Sequence, residues 1–273
     1  MAPLYKKTLI VGATSGIGEA LAAKLHSEGT SVIVTGRRQD RLDAFVQKHP
    51  ESSGMALDIT KLDEIPSFVA SVTQQHPDID SVVLNAGIQR PFNFAKPETV
   101  DLSVFAEEFN TNYVSFVHLV KAFLPHLQRV SRGTEAHLVF INASLALVPT
   151  LTRTPGYNAS KAALHSFIVN VRQQIKDAGY KIRLVEVFPP AVQTEIHDTK
   201  HQPDMINGHE IGMPLDLYTE RMYEDLRKGY EQFAIGRAEE WLKEGGFEAT
   251  RAKLFEQGNA TVKEALAKYI KST

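Results

Sequence analysis

Tyr157 and Lys161 stand four residues apart, so in a helix they project from one face in successive turns. A phenol with pKa about 10 is an inert base at neutrality, but a neighbouring ammonium group favours the phenolate and lowers that value. The pair can therefore shuttle a proton, although Tyr-x-x-x-Lys also arises by chance in many helices. A second group is Val11-Gly12-Ala13-Thr14-Ser15-Gly16-Ile17-Gly18. Gly12 can turn the chain sharply, Gly16 lets backbone approach a diphosphate, and Gly18 lets a helix lie close to a sheet. Thr14, Ser15 and Ile17 flank the free N–H groups that open the helix, a setting for negative charge. The same glycines would also serve a plain tight turn.

The elements around these groups follow from hydrophobic patterning. Strand-length apolar runs at Thr8 to Val11, Ser31 to Thr35, Gly54 to Leu57, Ser81 to Leu84, His137 to Ile141 and Arg183 to Phe188 alternate with longer amphipathic stretches. That is the pattern of an α/β fold, a doubly wound parallel sheet with helices on both faces. Ile17, Leu21 and Leu25 recur at helical spacing. A long helix is expected to carry Phe105, Phe109, Phe116, Leu119, Phe123 and Leu127, and another to run from Thr154 as N-cap, with Pro155 first, to Gly179. The latter is apolar around much of its circumference, which suits a homodimer or homotetramer. After Pro189 the chain turns polar and irregular, and 191–217 reads as a mobile loop over the site. Residues 237–273 return to helical spacing, with Trp241, Leu242, Leu254, Leu266 and Tyr269 expected to pack as a C-terminal helical extension. No repeat or linker divides the chain, so a single unit over 1–273 is expected.

In a doubly wound sheet the strand ends form the ligand crevice. At the end of the second strand stand Arg37 and Arg38, where an acidic residue for a free 2′-hydroxyl is missing. Their guanidinium groups suit a 2′-phosphate, which favours NADP(H) over NAD(H); two solvated arginines starting a helix is the alternative. Asp58 and Asn85-Ala86-Gly87 fall at the next strand ends, as cofactor contacts or as turn residues.

Composition removes other classes. The 273 residues hold 30 Lys plus Arg against 32 Asp plus Glu, leaving no cationic surplus for nucleic acid or a membrane surface. The absence of cysteine excludes disulfides, thiolate zinc sites and a cysteine nucleophile. No apolar stretch approaches the roughly 18 residues that span a bilayer, and the N-terminus lacks a signal-peptide pattern, so a cytoplasmic location is expected. His197, His201 and His209 have no matching carboxylate spacing for a metal and are candidates for lining a substrate pocket. Tyr218, Met222, Tyr223 and Tyr230 are read as packing residues.

Taken together, Gly12-x-x-x-Gly16-x-Gly18, Asn85-Ala86-Gly87, Asn112, Ser144, Tyr157-x-x-x-Lys161, Pro189 and Thr194 occur in the order and at the separations of the short-chain dehydrogenase/reductase family, which the chain resembles over about residues 6 to 195. The stretch Phe188 to Thr194 is similar to the DltE-like branch. The resemblance implies a Rossmann-type fold and interconversion of a carbonyl and a secondary alcohol, more often as reduction. Tyr157 would exchange the proton, Ser144 would hold the substrate oxygen, and Lys161 would lower the tyrosine pKa and bind the nicotinamide ribose. Asn112 would bind a water leading to Lys161 or accommodate a helix irregularity. Pro189, Val192 and Thr194 would border the nicotinamide and its phosphates. The chain departs from the pattern at Val11, Leu84 and Pro190; the last removes an N–H and stiffens the backbone beside the nicotinamide. A dinucleotide-binding regulator without turnover, and a redox-neutral epimerase, remain alternatives.

Overall fold

Runs such as Leu9-Ile10-Val11 and Val32-Ile33-Val34 carry branched side chains without polar alternation, which suits strands covered on both faces. The computed structural model describes residues 2–270; Met1 and 271–273, the ends of the expected unit, lie outside the described residues. The strands are β1 (Lys7–Val11), β2 (Ser31–Gly36), β3 (Ser53–Ala56), β4 (Ser81–Leu84), β5 (Ala136–Ile141), β6 (Ile182–Phe188) and β7 (Gln232–Ala234). They form one sheet in the order β3-β2-β1-β4-β5-β6-β7, and every pair is parallel. The chain winds outward from β1 to β3 and then returns to β4, so the order reverses between β1 and β4, where Val11 pairs with Leu84. Ligands of open parallel sheets bind at such a reversal.

The helices are α1 (Gly16–Ser27), α2 (Gln39–Lys48), α3 (Ile65–Gln75), α4 (Leu102–Phe109), α5 (Ser115–Val130), α6 (Pro155–Asp177), α7 (Leu215–Arg227), α8 (Glu239–Leu242) and α9 (Phe247–Leu266). Leu9 and Val11 point into one core with Phe116, Phe123, Leu164 and Ile168. Ile10 points into the other, with Leu21, Leu25, Leu42 and Met222. Helices α3, α5 and α6 thus cover one face, and α1, α2 and α7 the other. Neither Ser15 nor Thr154 makes a side-chain cap bond at its helix start. A cap is worth about 1 kcal/mol, whereas each buried aliphatic or aromatic side chain contributes about 1.5–3 kcal/mol, so packing on the sheet sets these helices.

Three expectations change. The long helix over Phe105 to Leu127 is broken by a π-helical turn at Asn110–Val114. Strand β7 was not expected; three residues are too few for a periodic signal. Among the described residues, the C-terminal extension buries apolar side chains only at its start. Trp241 and Leu242 pack against Leu147, Phe188 and Ala238, but Leu254, Leu266 and Tyr269 are exposed, as is Tyr230, which does not join Tyr218 and Met222 in the core. The first turn of α9 is held by charge instead. Glu248 accepts from Gln232 and from Arg251, and lies 3.3 Å from His165 Nε2. The other ring nitrogen, Nδ1, is 2.9 Å from Glu186 Oε2, and Glu186 is fully buried on β6.

The Arg251 guanidinium also meets His165 Nε2, but the two carboxylates around the buried imidazole outweigh its desolvation and push His165 from 6.5 up to about 9. A raised histidine stabilises fully below its unfolded pKa and loses that contribution as pH rises through the folded value. Wild-type unfolding free energy should therefore fall between pH 6.5 and 9, by on the order of 2–3 kcal/mol from this group. The variant His165→Gln should be less stable at neutral pH and lack that slope. Denaturant titrations across the range check this; parallel pH profiles for the two proteins would refute it.

Candidate active site

The turn after β1 is built by exclusion of side chains. A Cβ on Gly12, where φ is +84°, would lie 2.6 Å from the Ala86 backbone, and one on Gly18 would lie 2.2 Å from the Gly12 carbonyl oxygen. The Gly12 and Ala13 N–H groups donate to the Thr35 carbonyl, and Asn85 Nδ2 donates to the Gly12 carbonyl at 2.7 Å. Those bonds tie β1, β2 and β4 together without the hydroxyl that Val11 lacks. Bare backbone thus borders the N-terminus of α1, where a diphosphate can approach.

One cavity of about 850 Å³ joins this turn to the remaining candidates. Gly12, Thr14, Ser15, Gly16 and Ile17 line it, with Arg37, Arg38, Asp58, Asn85, Gly87, Ser144, Tyr157, Lys161, Pro189, Val192 and Thr194. Gly18 supports the turn from behind, and Asn112 lies fully buried behind the cavity wall. Arg38 is tied down: it donates to Thr14 and Ser15 hydroxyls and pairs with Glu195 at 2.7 Å. Arg37 is exposed and has no side-chain partner among the described residues. Asp58 accepts from the N–H and hydroxyl of Thr60 at 3.0 and 2.8 Å, so it holds a turn and lines the cavity at once.

Tyr157 and Lys161 share a face of α6, with the lysine Nζ 5.6 Å from the phenol ring centre. The ammonium donates to the Ile141 carbonyl at 3.0 Å and is only 2% exposed. Burial lowers Lys161 to about 8, with Glu186 opposing the fall, so the group stays largely protonated at neutral pH. The expected lowering of the phenol pKa is not reached by Lys161 alone. Burial dominates and raises Tyr157, and Glu108 adds to it. Ser144 follows β5 in a short turn whose N–H is held by the Pro189 carbonyl at 2.9 Å. Asn112 sits in the π-turn; its Oδ1 accepts from Ile88 N–H at 2.9 Å and its Nδ2 donates to the Ile88 carbonyl at 2.8 Å. The carboxamide thus braces the strand end beside Gly87, the irregularity the sequence allowed for.

Several residues at the site carried no sequence signal. Glu108, which stands between Phe105 and Phe109 in the sequence, is fully buried. Its Oε1 accepts the Arg90 backbone N–H at 2.7 Å, its Oε2 has no partner, and burial pushes it up to about 7. Gln202 is also fully buried. Its Nε2 donates to Gln89 Oε1 and to the Ile196 carbonyl, both at 2.8 Å, and its Oε1 accepts from Arg153. The loop expected to be mobile is therefore pinned at its centre. His197 and His201 line the cavity, whereas His209 is exposed.

The sheet reversal, the glycine turn and the Tyr157–Lys161 pair define a dehydrogenase class of Rossmann-type protein. The chain belongs to the short-chain dehydrogenase family, whose model matches residues 6–204. Among relatives, it is 32% identical over 254 residues to an uncharacterised oxidoreductase, DltE, of Bacillus subtilis, covering 92% of this chain and 95% of that one. An alcohol dehydrogenase from the archaeon Thermococcus sibiricus, complexed with 5-hydroxy-NADP, shares the fold with TM-score 0.70 and 24% identity, over 85% of this chain and 96% of its own. A 3-ketoacyl-(acyl-carrier-protein) reductase from Brucella melitensis, complexed with NADH, does so with TM-score 0.71 and 22% identity, over the same shares.

Replacing Asn112 by Ala should leave the half-buried Ile88 N–H and carbonyl without their side-chain partner and cost about 1–2 kcal/mol of stability. Chemical unfolding measures it; a change under about 0.5 kcal/mol, the usual size for an uninvolved position, would remove the bracing role.

Proposed function

We propose that the protein is an NADP(H)-dependent oxidoreductase interconverting a carbonyl and a secondary alcohol, working as a reductase. The observation that carries this is one cavity bordered by the glycine turn at one end and by Ser144, Tyr157 and Lys161 at the other. A dinucleotide fits the residues present: the cradle at Gly12 and Gly18 has no room for side chains, and Arg37 faces the cavity without a carboxylate partner. The solved relatives carry either a phosphorylated or an unphosphorylated dinucleotide, so the preference for NADP(H) rests on Arg37, with Arg38 beside it.

The bound nicotinamide supplies the hydride chemistry. Tyr157 donates its phenolic proton to the carbonyl oxygen during reduction and takes it back during oxidation. Ser144 hydrogen-bonds the same oxygen and stabilises the charge that develops on it. Lys161 holds its ammonium beside the phenol, where it would bind the ribose hydroxyls of the cofactor. Asn112 positions the wall at Gly87. Pro189, Val192 and Thr194 border the nicotinamide end, and Pro190 follows without an N–H to give. Ala162 and Ala163 on the outer side of α6 are not buried, which supports a homodimer or homotetramer through that helix. Among the described residues no helix is long and apolar enough to cross a membrane, and the sequence grounds above favour a cytoplasmic setting.

Tyr157→Phe should lower NADPH-linked reduction of a carbonyl panel by at least about 100-fold, the lower range for a lost general acid, with cofactor binding retained. Wild-type turnover in that variant would overturn the proton assignment. Arg37→Ala should weaken NADPH by about tenfold or more while leaving NADH within about twofold, the size of one charge-assisted contact. Fluorescence titration of both dinucleotides reads it, and equal weakening would remove the basis for phosphate recognition.

A further inference from the structure

The cations facing the cavity are not all accounted for by a dinucleotide and a catalytic pair. Arg37 and Arg38 stand at the ribose end, Lys161 stands at the phenol, and Arg153 is neutralised by Asp204. Arg90 and Lys200 remain, with the His201 imidazole beside them, on the side of the cavity formed by the loop. The acids that line the cavity, Asp58 and Glu195, are used elsewhere: Thr60 occupies the first, and Arg38 and Arg41 pair with the second.

The Arg90 side chain is partly buried and held in place. Its Nη1 donates to the Gln89 carbonyl at 3.0 Å and to the His201 carbonyl at 3.4 Å, while Nε and Nη2 have no hydrogen-bond partner among the described residues. Glu108 makes no bond to the guanidinium: its Oε1 accepts the backbone N–H of Arg90, and burial pushes the carboxyl up to about 7, with that N–H bond and the Arg90 charge opposing, so it is only about half ionised at neutral pH. Lys200 makes no ion pair among the described residues. His201 meets Arg90 through its carbonyl and lines the same cavity as Arg90 and Lys200; burial, Arg90 and Lys200 push its imidazole down, with Glu195 and Asp198 opposing. An arginine fork with two free donors beside a lysine matches an oxyanion. Leu145, Leu151 and Ile211 line the cavity nearby and offer apolar surface for the rest of the molecule.

We propose that Arg90, with Lys200 and His201, forms an anion-binding subsite, so that the carbonyl substrate is an amphiphile carrying a carboxylate or phosphate monoester beyond an apolar body. The class of substrate rests on the oxidoreductase reading; the subsite itself does not.

Titration calorimetry on the full-length protein with excess NADP⁺ compares hexanoate, hexyl phosphate and hexanamide. At least one anion should bind tenfold or more tighter than the amide, and whichever does so identifies the headgroup. That margin should shrink to threefold or less in Arg90→Gln, and fall at least threefold in Lys200→Gln, whose exposed position carries no structural contact. Equal binding of anion and amide, no binding of either anion, or a margin that survives both substitutions would overturn the subsite. NADPH oxidation with 5-oxohexanoate against 5-oxohexanamide is read separately. If no carbonyl compound is reduced yet anion binding still depends on Arg90, the oxidoreductase reading falls and the subsite stands.

Discussion

A protonated amine with 2% exposure is costly to keep inside a protein, and the architecture of the site is organised around keeping it there. Lys161 has one direct bond, to the Ile141 carbonyl at the end of β5. The carboxylate that favours its charge, Glu186, comes from the neighbouring strand β6. Asn142 links the two, donating to the Lys161 carbonyl at 3.2 Å and to Glu186 at 2.6 Å. Two adjacent parallel strands thus furnish a carbonyl, an amide and a carboxylate at the same level, which a parallel register makes available where strand ends align. Tyr157 sits one helical turn away in the same low-dielectric surroundings. The phenol is held neutral by burial, so any proton exchange there needs positive charge brought close, and the cavity leaves room for that on the open side.

Much of the fold was legible because its signals are local. Apolar runs of strand length, the glycine spacing after the first of them and the four-residue interval between Tyr157 and Lys161 all lie within short windows, and the structure brings them to one cavity. What stayed hidden is formed by groups distant in sequence. Gln202 meets Gln89 across 113 positions, and Glu248 meets His165 from the far end of the chain. A glutamine in an irregular loop gives no indication that it will be fully buried. The π-turn at Asn110–Val114 leaves the hydrophobic spacing of the long helix nearly intact while adding a residue to one turn, so periodicity reads straight through it. Glu108 is hidden for the same reason, flanked by phenylalanines whose pattern is what the eye follows.

The loop after β6 shows how polar residues can be inside a cavity wall without forming a core. Its bridge at Val192 and Met213 closes its base, and Gln202 fixes its middle to the strand end after β4. Between these points the loop carries Asp204, paired with Arg153, and Glu195, paired with Arg38 and Arg41. The loop therefore belongs to both ends of the cavity, touching the ribose side through Glu195 and the opposite side through His201.

The charged hinge at the start of α9 makes the tail unequal along its length. Glu248 and Arg251 complete a buried charge balance that begins at Glu186, and breaking such a balance by removing one member costs about 3–5 kcal/mol. Residues 252–270 beyond them are mostly solvated surface, joined back to α6 through Lys263 and Asp177. Shortening this protein from its C-terminus is thus a threshold and not a gradient: many residues can go with little consequence, and then the loss of one more turn uncorks the interior beneath α6.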